Sequence, residues 1–153
     1  MKDKIFGDLE YEFGWIGATT IDWYGEEVTV NIIISGEEDE EIEALQYDSY
    51  AKFMEAWSTI KKTLLERVLQ YYNNLRRELG YDNDSNESYP FIASIEELKD
   101  KIGLDIISIP SSGIYQGRSI ALAFHCDWDV ENGLGILFLD EEISEIGFQD
   151  IAF

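Results

Sequence analysis

The stretch SYAKFMEAWSTIKKTLLERVLQYYNNLRREL, Ser49 to Leu79, carries apolar side chains at steps of three and four. Tyr50, Phe53, Met54, Trp57, Ile60, Leu64, Val68, Tyr71, Tyr72 and Leu75 form one stripe, the pattern of an amphipathic helix that buries one face. Asp48 or Ser49 can cap its start. Arg76 and Arg77 complement the dipole at its end, and Gly80 follows as a terminating glycine. At 1.5 Å per residue a helix over 49–79 is roughly 45 Å long, more than a domain of this size is wide, so a bend or an overhang is expected. Tyr71 and Tyr72 are adjacent and cannot both face inward. One of them is expected at the surface or docked on the segment 81–89.

On either side of this helix the period changes to two. Residues 8–35 read as a β-meander: Trp15, Gly17, Thr19, Ile21 and Trp23 alternate with Ile16, Ala18, Thr20 and Asp22. Tyr24-Gly25-Glu26 supplies turn chemistry, and Val28, Val30, Ile32 and Ile34 continue the alternation. Glu37 to Glu41 then reads as a solvated loop tip, and the polar stretch Tyr81 to Tyr89 as a flexible connection. Ser94-Ile95-Glu96-Glu97 is a capping box opening a short helix that Gly103 closes. A short strand follows from Leu104 to Ile109, and Pro110-Ser111-Ser112-Gly113 ends it. In the last third, Ile120, Leu122, Phe124, Cys126 and Trp128 share one face, and Ser119, Ala121, Ala123, His125 and Asp127 the other. Asn132-Gly133 predicts a two-residue hairpin to Gly135–Leu139, and Asp140-Glu141 a turn into a final strand, Ile143 to Phe148. The expected fold is a single α+β domain over 1–153. It has an antiparallel meander, a long helix, a short helix and C-terminal antiparallel hairpins packed on the long helix. One sheet under that helix, or two small sheets sharing it, both fit.

Charge is distributed as unevenly as structure. The net charge is -21 over 153 residues. Ile5 to Tyr47 holds twelve carboxylates, Ser119 to Phe153 holds eight, and neither stretch has a Lys or Arg. Such a field attracts a basic partner or a cation and repels nucleic acid and anionic lipid, so neither nucleic acid nor membrane is an expected ligand. Cys126 is the sole cysteine, which fits a reducing compartment. Met1-Lys2-Asp3-Lys4 leads into no long apolar segment, so no secretory signal is expected, and no run approaches the roughly 20 residues of a membrane helix.

Chemistry-bearing motifs are few. Asp127-x-Asp129-x-Glu131-Asn132-Gly133 starts like a calcium loop, but position six is Asn132 and position twelve is Phe138, so no metal site is assigned to it. His125, the only histidine, lies on the opposite strand face from Cys126, which rules out a Cys–His pair within that strand; Asp127 shares its face. No catalytic residue and no cofactor follow from the sequence. The expected binding surface combines the two cation-free β regions. Its carboxylates are Glu10, Glu12, Asp22, Asp127, Asp129 and Glu131, with Trp23 or Trp128 as anchors.

Phe6-Gly7-Asp8-Leu9, Trp15-Ile16-Gly17 and Gln46-Tyr47-x-x-Tyr50-x-x-Phe53 mark the first half of the chain. His125-Cys126-Asp127-Trp128-Asp129-x-Glu131-x-Gly133-x-Gly135 and Ile146-Gly147-x-Gln149-Asp150 mark the end. With these motifs the chain resembles small, acidic, uncharacterised bacterial proteins of the immunity or accessory type, encoded beside secreted toxins. The resemblance implies a protein-binding role in the bacterial cytoplasm against a basic protein such as a toxin, and carries over no catalytic residue. Two alternatives stand beside it. One is a small metal- or His-dependent enzyme built on His125. The other is a housekeeping protein whose acidity serves solubility alone.

Overall fold

The two period-two regions join one sheet. A computed structural model describes residues 1–81 and 86–153. A small ribbon of β1 (Lys2–Asp3) and β2 (Gly7–Asp8) precedes β3 (Glu10–Tyr11), β4 (Trp15–Trp23) and β5 (Glu26–Ile34). Then come α1 (Ala44–Glu78), α2 (Ile95–Lys99), β6 (Ile102–Ile109), β7 (Ser119–Cys126), β8 (Leu134–Leu139), β9 (Glu142–Gly147) and a 3-10 turn (Gln149–Ala152). Strands β3 to β9 lie side by side in chain order. Every pair is antiparallel except β5–β6, which is parallel from Asn31↔Ile106 to Ile34↔Ile109. A parallel pair needs a crossover, and α1 with α2 supplies it. The fold is therefore α+β, and this parallel pair decides for one sheet over two.

The helical stripe faces that sheet. Phe53, Trp57, Leu64, Val68 and Tyr72 are buried among Ile21, Val30, Ile32, Ile107, Leu122, Phe124, Ile136 and Phe138. Phe53 meets Phe138 edge-on at 5.2 Å, and Trp57 stacks on Trp23 at 6.4 Å. The Trp57 indole N–H also donates to the Asp22 carbonyl at 2.7 Å. The helix starts at Ala44, earlier than the stripe suggests, with Glu43 and not Asp48 or Ser49 at its cap. The reason is Gln46, a buried polar residue outside the apolar stripe. Its Oε1 accepts the Glu43 N–H at 3.1 Å, and its Nε2 donates to Ser35 O at 2.8 Å and Ile109 O at 3.1 Å. One amide thus ties the helix start to the ends of the two parallel strands.

Two local expectations change, and one turn forms where it was expected. The β7–β8 connection is the loop 127–133, not a two-residue hairpin at Asn132-Gly133. Trp128 draws the chain inward: it is buried 4.5 Å from the Tyr72 ring. The turn expected at Asp140-Glu141 forms there, as a two-residue hairpin in which Leu139 pairs with Glu142. Both turn residues have positive φ, 48° and 65°, the twist such a turn requires. Arg118 holds them, with Nε and a terminal nitrogen on the Glu141 carboxylate at 2.8 and 2.9 Å. Finally, the end of the segment after α1 folds back on the helix. Arg76 donates to Tyr89 O at 2.9 Å and Tyr81 O at 2.8 Å, the Tyr72 hydroxyl donates to Pro90 O, and Ile92 is buried. Asp82-Asn83-Asp84-Ser85, part of the expected flexible connection, lies outside the described residues. Tyr72 is the inward tyrosine of the pair and also the one that reaches this segment; Tyr71 is half-buried.

The C-terminal segment covers the sheet's other face over β7 and β8 and reaches Ile106 of β6. There Ala121, Ala123, Leu137 and Ala152 form a small second cluster beneath the 3-10 turn. Gly135 makes room for the crossing, because a Cβ there would overlap the Phe148 carbonyl. Among the described residues this outer face is open at Ala18, Thr20, Thr29 and Asn31 of β4 and β5, whereas Ile33 and Ser108 beside the C-terminal segment are buried. Among the described residues no helix is long and apolar enough to cross a membrane.

Candidate functional site

None of the seven strands of the main sheet contains a Lys or an Arg. Six of the eleven basic residues, Lys52, Lys61, Lys62, Arg67, Arg76 and Arg77, ride on α1. The topology thus puts most of the Lys and Arg on α1, among its own carboxylates Asp48, Glu55, Glu66 and Glu78, while the charged residues of these seven strands besides His125 are all carboxylates. Among the described residues, Lys or Arg pairs with carboxylate at Lys61–Asp22, Arg118–Asp140 and Arg118–Glu141.

The open outer face is read from strand register. Glu10 pairs with Ile16, Ile16 with Ile33, Ala18 with Asn31 and Thr20 with Thr29, so these side chains share one face. At its edge, Glu12-Phe13-Gly14 turns β3 into β4. Phe13 and Phe153 stand 65% and 68% exposed. With Ile33, Ser35, Ser108 and Ala152 they line a notch of about 200 Å³.

A second concavity of about 440 Å³ is lined by Met1, Asp3, Trp15, Ile42, Tyr47 and the run Glu38 to Glu41. The expected loop tip is thus the wall of a cleft with an aromatic lining. Beside it, the Tyr11 hydroxyl donates to Gly36 O at 2.9 Å and the Tyr11 ring meets Trp15 of this lining edge-on. Burial, the Asp3 carboxylate that accepts its hydroxyl, and Glu41 push the Tyr47 phenol up to about 12. Tyr11 is raised too, by burial and by Glu37, Glu38 and Asp39.

The expected binding residues fall into two groups at opposite ends of the sheet. Glu10 and Glu12 lie just before the Phe13 turn, at the end of the sheet where β5 finishes. Asp22, Asp127, Asp129 and Glu131 lie at the other end, where β4 and β7 finish. Asp22 is occupied by Lys61, which holds its carboxyl below the usual range. The Asp129 carboxylate accepts from the Asn132 backbone at 3.1 Å and side chain at 3.0 Å, bracing the loop. Trp23 and Trp128, expected as anchors, are only 6% and 7% exposed; both pack in the core and present no ring to a partner. The sequence pattern passed over Phe13, and it read the run 38–41 only as part of a loop tip. The signal was present in Phe13, an apolar residue between Glu12 and Gly14 at a turn.

His125 bonds Asp105, not Asp127. Its Nδ1 lies 2.9 and 3.0 Å from the two Asp105 oxygens. Asp105 is the extra residue of a β-bulge between Leu104 and Ile106, and bulges re-aim side chains. Gly103 sits opposite His125 because a Cβ there would overlap the imidazole. Cys126 faces the core, and burial pushes its thiol up to about 11.

Over residues 5–153 the chain matches the family described as a domain of unknown function (DUF6985), and it belongs to that family. No curated protein and no solved structure matches it.

Proposed function

We propose that this member of the family is an acidic protein-binding module that captures a basic protein, as an immunity-type protein does when it neutralises a basic toxin in the bacterial cytoplasm. The observation that carries the reading is the division of charge: seven strands without a cation, and a helix that holds most of the cations on the far side. Apart from Asp22, which Lys61 pairs, the strand carboxylates have no Lys or Arg partner among the described residues, so their field extends into solvent and steers an oppositely charged partner. Such steering raises association from about 10⁵–10⁶ towards 10⁸–10⁹ M⁻¹s⁻¹ at low salt. A toxin whose own target is a polyanion, such as a nuclease, presents the matching surface.

The test is co-expression with the product of the adjacent gene, scored as rescue of growth. The expected result is rescue that is lost when Glu10, Glu12 and Glu38 to Glu41 are reversed to Lys. A neighbour that is not toxic, or rescue indifferent to these reversals, removes the reading.

A His-dependent enzyme is the second reading, supported by Asp105 on His125 Nδ1. That contact leaves Nε2 as the nitrogen to act as base. It ranks below capture because the His125 and Asp105 side chains are 66% and 47% exposed, so water has ready access to the pair. Rescue that survives the charge reversals but is lost in His125→Gln would put it first.

A further inference from the structure

We infer that the Phe13 notch on the open sheet face is the anchor point of the acidic surface, and that it takes one apolar side chain flanked by Lys or Arg on a basic protein. The inference rests on the capture reading and adds to it the contact that holds the partner once steering has delivered it. Phe13 sits at the tip of a tight turn, between the Tyr11↔Trp15 pair of β3 and β4. The turn is braced by the Glu12 N–H on Gly14 O at 3.1 Å. Gly14 presses against the end of β5, where a Cβ would stand 2.9 Å from Ile34 O. An aromatic ring displayed on a rigid turn loses little freedom on binding, which is the property of a hot-spot residue. Opposite it Phe153 is exposed, and buried Ile33 is among the residues that line the notch between them. At about 200 Å³ the notch is smaller than the 300–1,000 Å³ typical of small-molecule sites and suits a single side chain. Glu10 and Glu12 precede Phe13 in sequence, and β3, β4 and β5 bring no Lys or Arg to this face. Charge also excludes a second copy as the occupant, since two chains of net charge -21 would meet acidic rim to acidic rim.

The probe is a pair of synthetic peptides, Lys-Arg-Gly-Trp-Gly-Lys-Arg and the same peptide with Ser in place of Trp, titrated at low salt against the ¹⁵N-labelled chain. The Trp peptide is expected to bind at least tenfold more tightly, with amide shifts at Ile33, Ser35 and Ser108. Phe13→Ser, at an exposed position that leaves the core intact, is expected to make the two peptides equal while both retain their salt dependence. Equal binding of the two peptides to the unaltered chain, or discrimination that persists in the Phe13→Ser and Phe153→Ser double variant, overturns the anchor and leaves the capture reading standing. Shifts confined to Glu38–Glu41, or a dimer in sedimentation that Phe13→Ser dissolves, also overturn it. Failure of both peptides to bind removes the capture reading along with it.

Discussion

Cys126 and His125 are neighbours in sequence with opposite fates, because a strand turns successive side chains to opposite faces. Cys126 lies under the helix, and burial holds its thiol up at about 11. In the folded chain its alkylation by iodoacetamide at pH 8 is therefore expected to be at least about a hundredfold slower than in denaturant. Similar rates in both would mean that the β7 end opens readily. His125 lies on the outer face and depends on a residue with no side chain. Gly103→Ala is expected to push the imidazole off Gly103 and away from Asp105. With one histidine in the chain, the imidazole ¹⁵N shifts report this without ambiguity. Unchanged shifts would show that the ring has another resting place.

At the scale of elements, α1 depends on both its apolar stripe and its first turn. Trp57 is buried against Trp23 and hydrogen-bonded to β4, so Trp57→Ala is expected to cost about 3–5 kcal/mol in chemical denaturation. Gln46→Ala removes far less volume but leaves Ser35 O and Ile109 O without their shared donor. It is expected to cost about 1–3 kcal/mol, the range for orphaning a buried polar group. A cost near zero for Gln46→Ala would mean that water replaces the amide and that the junction of β5, β6 and the helix is looser than drawn.

Across the whole molecule, like charge opposes folding. Added salt screens the repulsion, so the melting temperature is expected to rise from low to moderate ionic strength; a flat response would mean that the carboxylates are too dispersed to repel. Acid acts in two stages. The Lys61 ammonium holds the Asp22 carboxyl below its ordinary 3.8, and the Ser112 hydroxyl and N–H hold Glu43 below its ordinary 4.5. Each lowered group adds stability that is complete above its ordinary value and is lost as pH falls through its lowered one. From pH 7 towards 5 these contacts stay whole while the excess negative charge begins to diminish, so stability is expected to hold or rise. Below about 4 it is expected to fall. A melting temperature that drops steadily from pH 7 would show that paired carboxylates outweigh repelling ones.

Much of this architecture was present in local pattern. The stripe from Tyr50 to Leu75, the alternation of β4 and β5, and the division of charge are each properties of near neighbours, and periodicity reports them directly. From these follow the α+β class and a chain with two cation-free regions. What periodicity could not carry is anything that joins distant residues. The parallel pairing of β5 with β6 spans the whole helical crossover. The bond from Gln46 to Ile109 and the bulge that brings Asp105 to His125 depend on partners fixed by packing. The same holds for the binding surface. Sequence identified which segments lack cations, but burial took Trp23 and Trp128 into the core, and register sent Glu10 and Asp127 to opposite ends of the sheet. Charge composition is a sum over residues and survives any fold. Which charges stand together, and which aromatic ring stands among them, is decided only when the strands are in register.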